Sequence, residues 1–142
     1  MVKYKVRIAI IVIMLMFISV CIANYYVIED ENGYSKYEIN KAIESANEYM
    51  VEISDSDSQN DQHESQIWEW QKIIYDVERS KRNANKTPQR EQFEHLIFLY
   101  TDVEYTVTYI TGETVTQNLP EYGLWLGKEA DSKKWEVIGS GY

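Results

Sequence analysis

A single cysteine, Cys21, stands in 142 residues, so the chain can form no intramolecular disulfide and no cysteine-rich metal site. Histidine is almost as scarce, with only His63 and His95. His63 and Glu64 offer two metal ligands, but a third and fourth at fixed spacing are missing. Basic residues number 14 against 23 acidic, and Lys3, Lys5 and Arg7 precede the first apolar run. The remaining 11 face all the acidic residues, a balance of −12 with no basic cluster. That argues against nucleic acid, whose phosphates need clustered Lys and Arg, and against electrostatic docking on anionic headgroups. No GxSxG, HExxH, Walker or GxGxxG pattern occurs, and no cofactor is implied.

Two patterns come near to chemistry and stop short. Asp55-Ser56-Asp57-Ser58-Gln59-Asn60-Asp61 begins like a calcium-binding loop. It then places Asn60 where a glycine must make the sharp turn, and Gln66 where a bidentate glutamate must close the site. A solvated acidic loop is the simpler reading. His95 and Asp102 could form an acid–base pair, but their odd separation sets them on opposite faces of a strand unless a bulge intervenes. The expectation is a chain that is not an enzyme.

What the sequence does contain begins with an apolar run over residues 8–28, interrupted only by Ser19 and Asn24. Twenty-one residues of helix rise about 31 Å, matching a hydrocarbon core of about 30 Å. Three fates compete. The segment is cleaved after Ala23, lipidated at Cys21, or retained as an anchor. Val20 spoils the lipidation site, where Gly, Ala or Ser belongs, and Tyr25 with Tyr26 would form an aromatic belt at the outer interface. Retention is therefore favoured. Under all three fates Lys3, Lys5 and Arg7 keep the N-terminus inside, so the rest of the chain lies on the extracytoplasmic side of the cell membrane.

After a spacer at 29–33, Ser35-Lys36-Tyr37-Glu38 is a capping box. Ile39, Ala42, Ile43, Ala46, Tyr49, Met50 and Ile53 continue from it at helical spacing, which predicts a long amphipathic helix. Residues 54–65 are polar and predict a loop. Ile67, Trp70, Ile74 and Val77 predict a second helix over 64–79, and 80–90 a mobile connection. On that helix Trp68 and Trp70 would lie about 200° apart. From His95 the period becomes two. A three-residue loop, Ile110-Thr111-Gly112, pairs Val107 with Val115 and puts Gly112 where a left-handed residue is required. Pro120 should break the next strand, and 122–126 and 134–138 complete a four-stranded meander. Trp68, Trp70, Trp125 and Trp135 suit a core and its lid better than a binding platform.

The opening Tyr34-Ser35-Lys36-Tyr37-Glu38-Ile39 with Ala42 joins a strand near 97–102 and an ending built on Gly123-Leu124-Trp125-Leu126, Lys134-Trp135-Glu136-Val137 and Gly141-Tyr142. Together these resemble small uncharacterised exported or lipoprotein domains of Gram-positive bacteria. The resemblance covers about 34–142 and implies an NTF2-like or cystatin-like fold and an envelope location, with no activity attached. The expectation is an α+β chain: residues 1–28 a signal or anchor helix, 29–33 a spacer, and 34–142 a long and a shorter helix on a curved four-stranded antiparallel sheet. Its expected role is a non-catalytic module that meets the membrane through its N-terminal segment and binds a protein or envelope partner. The alternative is a small-molecule pocket protein or enzyme of the same fold.

Overall fold

Alternation of side chains from His95 onward produces the two longest strands, β2 (His95–Tyr109) and β3 (Thr114–Lys128). The computed structural model describes residues 2–26, 29–56 and 63–141. Residues 27 and 28, at the end of the expected anchor, lie outside that set. β2 and β3 pair antiparallel around the 110–112 loop, with Val107 opposite Val115 and Gly112 at φ 83°, as its sequence requires. The Tyr109 N–H donates to the Glu113 carbonyl at 2.8 Å and closes the hairpin. With β1 (His63–Trp70) and β4 (Glu136–Gly141) they form a curved antiparallel sheet in the order β1-β2-β3-β4.

The expected second helix is a correction. Residues 63–70 form β1, and the helix proper is α3 (Val77–Asn83), seven residues long. Ile67, Trp70 and Ile74 mimic helical spacing, but Gln66, Trp68 and Trp70 also alternate with Ile67 and Glu69. The long-range ladder onto β2 decides between the two periods. In a strand Trp68 and Trp70 share one face, so the problem of two tryptophans 200° apart disappears. The connection expected at 80–90 is also ordered: α3 continues into 3₁₀ turns at Ala84–Lys86 and Arg90–Gln92.

Pro120 does not break its strand. β3 runs through it on a bulge, since Thr101 faces Tyr122 while Val103 faces Leu119, leaving one extra residue on β3. Proline is tolerated in sheets at such bulges and at edges, where no ladder N–H is needed. Asp102 secures the kink by accepting the Glu121 N–H at 2.8 Å, and Glu121 adopts φ 56°. The strand expected to end at Pro120 and the one expected at 122–126 are thus one, and β1 restores the count to four.

The chain divides into two units, Met1–Asn40 and Lys41–Tyr142. In the first, α1 (Val2–Tyr26) is one continuous helix, and its apolar side chains over 10–22 are exposed, Phe17 at 72%. Among the described residues no helix is long and apolar enough to cross a membrane; the side chains described in α1 begin at Ile10. The expected spacer is a hydrogen-bonded turn. The Asp30 carboxylate accepts the N–H groups of Asn32 and Tyr34, at 2.8 and 3.0 Å. The capping box is present, with the Glu38 N–H on Ser35 Oγ at 3.3 Å and the Ser35 N–H on Glu38 Oε2 at 3.4 Å. Tyr37 of the helix it starts, α2 (Lys36–Ser56), meets Tyr25 edge to face and Tyr26 at a tilt.

In the second unit, α2 lies on the sheet face that carries Trp68, Trp70, Tyr105 and Tyr122, here the inner face. Ala42 and Ala46 are fully buried, and their small side chains let the helix axis approach before Met50 fills the end. Two flanking residues fasten it. Asn47 accepts the Trp70 indole N–H at 3.3 Å, and the Tyr49 hydroxyl meets Ser140 Oγ at 2.9 Å. Leu99, Ile97, Leu124 and Leu126 complete the buried inner layer.

The half of β2 that β1 does not reach is covered group by group. Tyr100 exchanges backbone bonds with Ile74, the Asp102 carbonyl accepts from Gln71, and the Phe98 N–H donates to Ser80 Oγ at 3.0 Å. Ser80 is buried, so its loss would strand that N–H without water. Ser80→Ala is expected to lower stability by about 1–3 kcal/mol. A urea unfolding curve that shifts by less than about 0.5 kcal/mol, the ordinary scatter of surface changes, would count against this role.

Candidate functional site

The outer face of the sheet carries the polar and aromatic groups that α2 does not cover. Phe98 and Trp125 lie there edge to face, 5.0 Å between centroids. The Trp125 indole N–H donates to the Asn83 carbonyl at the end of α3, 2.9 Å. A Cβ at Gly123 would stand 2.8 Å from the Phe98 ring, so only glycine lets the ring lie flat on β3. With Arg79, Lys86, Glu121 and Gly141 these residues line a cleft of about 520 Å³.

Lys86 and Glu121 bring charge to that cleft, and so does Arg79. Its guanidinium makes two 2.9 Å bonds to the Glu121 carboxylate and sits 4.0 Å above the Tyr100 ring centre. The hydrogen bonds from Arg79, then its charge, hold the Glu121 carboxyl below the ordinary value of 4.5. Glu121 in turn raises Arg79. Arg79, Glu121 and Asp102 therefore form a staple across the β3 bulge. Its cation is paired with the Glu121 carboxylate.

A second cleft, about 400 Å³, opens beyond the bulge and is lined by Glu69, Asp102, Glu104 and Asn118 among others. Glu69 and Glu104 are direct cross-strand partners, and Glu104 is in turn opposite Asn118. Like charges so placed repel.

The residues singled out in the sequence are scattered. Cys21 is an exposed free thiol on α1. Asp55 lies at the end of α2, while residues 57–61 of the calcium-like loop lie outside the described residues. His63 opens β1 and His95 opens β2. The bulge that could have brought His95 and Asp102 to one face is on β3, so β2 keeps its parity and the pair stays on opposite faces. Seven residues of strand also separate them by about 23 Å. Among the described residues no group of three or more His, Cys, Asp or Glu could hold a metal. The four tryptophans form no platform. Trp135 is buried, Trp68 lies against Tyr105 with 4.5 Å between ring centres, Trp70 donates to α2 and Trp125 to the end of α3. Sequence reasoning missed Arg79 and Glu121, whose 42-residue separation carries no local signal.

A depressed carboxyl stabilises the fold above its unfolded pKa, and the contribution is lost as pH falls through the lower folded value. Glu121→Gln should therefore be less stable than the parent at neutral pH, and the two should converge as pH drops below about 4. Denaturant midpoints measured from pH 7 to pH 3 test this; a gap that persists unchanged in acid would sink the ion-pair account.

Compared with protein-family models, curated proteins and solved structures, the chain matches none.

Proposed function

We propose that this chain is a membrane-anchored, extracytoplasmic module that binds a protein or envelope partner without catalysis. The observation that carries the reading is the occupied inner face. A ligand chamber in a helix-on-sheet fold would lie between α2 and the sheet. Here Ala42, Ala46 and Met50 are at zero exposure, and Trp68, Trp70, Tyr105 and Tyr122 fill the remaining width. Among the polar groups that reach this layer, Tyr49 and Tyr122 both bond to Ser140, and Asn47 accepts from Trp70.

Attachment rests on α1 together with the sequence on either side of its described side chains. The helix is unbroken, its apolar surface over 10–22 is exposed, and the basic residues within it, Lys3, Lys5 and Arg7, all precede residue 8. Exposed apolar area of this kind marks a surface that meets lipid or protein. The span counted from Ile8 to Ile28 includes two residues outside the described helix. The alternative, a small-molecule pocket protein or enzyme of the same fold, would have to use the outer cleft beside Phe98 and Trp125. The neutralised Arg79 there weakens it.

Cell fractionation with surface protease treatment, paired with intact mass, tests the module's placement. The expected result is a membrane-bound chain of full mass, digested from the outside, and unchanged by Cys21→Ser. A mass ending at Ala23 would refute retention. An acyl addition lost in Cys21→Ser would replace the anchor helix by a lipid. A purely cytosolic chain would remove the reading altogether.

A further inference from the structure

Antiparallel pairing leaves every second residue of an edge strand with its N–H and C=O pointing away from its partner. The Tyr109–Glu113 hydrogen bond sets that alternation, and the register is unbroken from Thr108–Thr114 to Val103–Leu119. The outward-pointing residues on this half of β3 are therefore Thr114, Thr116 and Asn118. β4 pairs only with residues 123–127, so nothing among the described residues covers them. All three are exposed. The corresponding groups on β2, at Phe98, Tyr100 and Asp102, are each satisfied by Ser80, Ile74 and Gln71.

Natural edge strands are usually guarded by charge, by a bulge along the edge, or by brevity. Residues 114–119, Thr-Val-Thr-Gln-Asn-Leu, carry no charge, and Pro120 with the bulge only terminates the stretch. The hydroxyls of Thr114 and Thr116 bond back to Thr108 and Thr106, at 3.2 and 3.0 Å, which ties this edge strand to β2 on the outer face. At its inner end, Asn118 borders the cleft lined by Glu69, Asp102 and Glu104. Among the described residues neither Glu69 nor Glu104 has an ion-pair partner.

We propose that the free edge of β3, residues 114–119, is the docking strand for an extended cationic polypeptide. The partner adds as a fifth strand and sets a Lys or Arg side chain into the acidic cleft beside Asn118. Main-chain bonds to Thr114, Thr116 and Asn118 supply the register. The opposed Glu69 and Glu104 supply the sign of the charge, since a cation relieves their mutual repulsion. A second copy of this chain is a poor occupant, because it brings the same acidic row and a net charge of −9. This names the surface and the partner chemistry of the module proposed above and rests on that reading.

The test uses the full chain in neutral detergent micelles and a short peptide alternating lysine and valine. Controls are its glutamate-for-lysine counterpart and two forms of the lysine peptide N-methylated along one edge or the other. Calorimetry should show the lysine peptide binding more weakly as salt rises, and the glutamate peptide not binding. Methylation along one edge should abolish binding while the other edge tolerates it. Amide exchange at residues 114, 116 and 118 should slow in the complex. Thr116→Pro removes one outward N–H and no ladder bond, so it should weaken binding at least about tenfold with circular dichroism unchanged. Glu104→Gln should flatten the salt dependence. Absence of binding, equal binding of the glutamate peptide, or equal binding of both methylated forms would overturn the proposal. Binding that persists in a folded Thr116→Pro chain would overturn the edge while leaving a binding module. Concentration-dependent dimers in sedimentation that Thr116→Pro abolishes would give the edge to a second copy instead.

Discussion

The ladder between β2 and β3 is the interaction on which the remaining architecture depends. Two 15-residue strands hold one register from Thr108–Thr114 to His95–Lys128, with a single extra residue in β3. Each neighbour then attaches to half of this pair. β1 takes the half of β2 nearest the hairpin, and residues 71–80 take the other half. β4 takes the half of β3 farthest from the hairpin. The inner side chains of the same two strands give α2 its seat. A slip of one residue would bring Phe98 or Tyr100, Gly123 or Trp125, and a threonine to the places of the buried Leu99, Leu124 and Val107, so burial itself enforces the pairing.

The bulge at Pro120 and Glu121 reconciles two demands on that ladder. Proline cannot donate, and a strand this long in a curved sheet must bend somewhere. A single extra residue meets both demands, because it removes the need for a donor and increases the local twist. The cost of a glutamate at φ 56° is offset by its backbone bond to Asp102 and its bidentate contact with Arg79. Strain is thus concentrated at one point and held from two sides.

Features governed by neighbours in sequence were legible. The capping box at Ser35 and Glu38 and the hairpin at Gly112 each depend on a few adjacent residues, and both stand as read. The α+β class followed from the change of period at His95. β1 was hidden because Ile67, Trp70 and Ile74 fit a helix while the alternation of 66, 68 and 70 fits a strand. Only β2, more than thirty residues away in sequence, settles the choice. Pro120 misled for a similar reason: Asp102, which stabilises the bulge, lies 19 residues from Glu121. The outer clefts were not legible at all, since Glu69 meets Glu104 only through strand pairing and Arg79 meets Glu121 only where α3 packs on the sheet.

The distribution of the indoles has a consequence for how this protein can be observed. Trp70 is bonded to α2 and Trp125 to the last residue of α3, while Trp135 is closed off from solvent with the Lys128 ammonium 5.1 Å from its ring centre. Each layer of the second unit therefore carries its own chromophore, in a distinct polarity. The lifting of α2, the detachment of α3 and the opening of the core would each leave a different spectral trace.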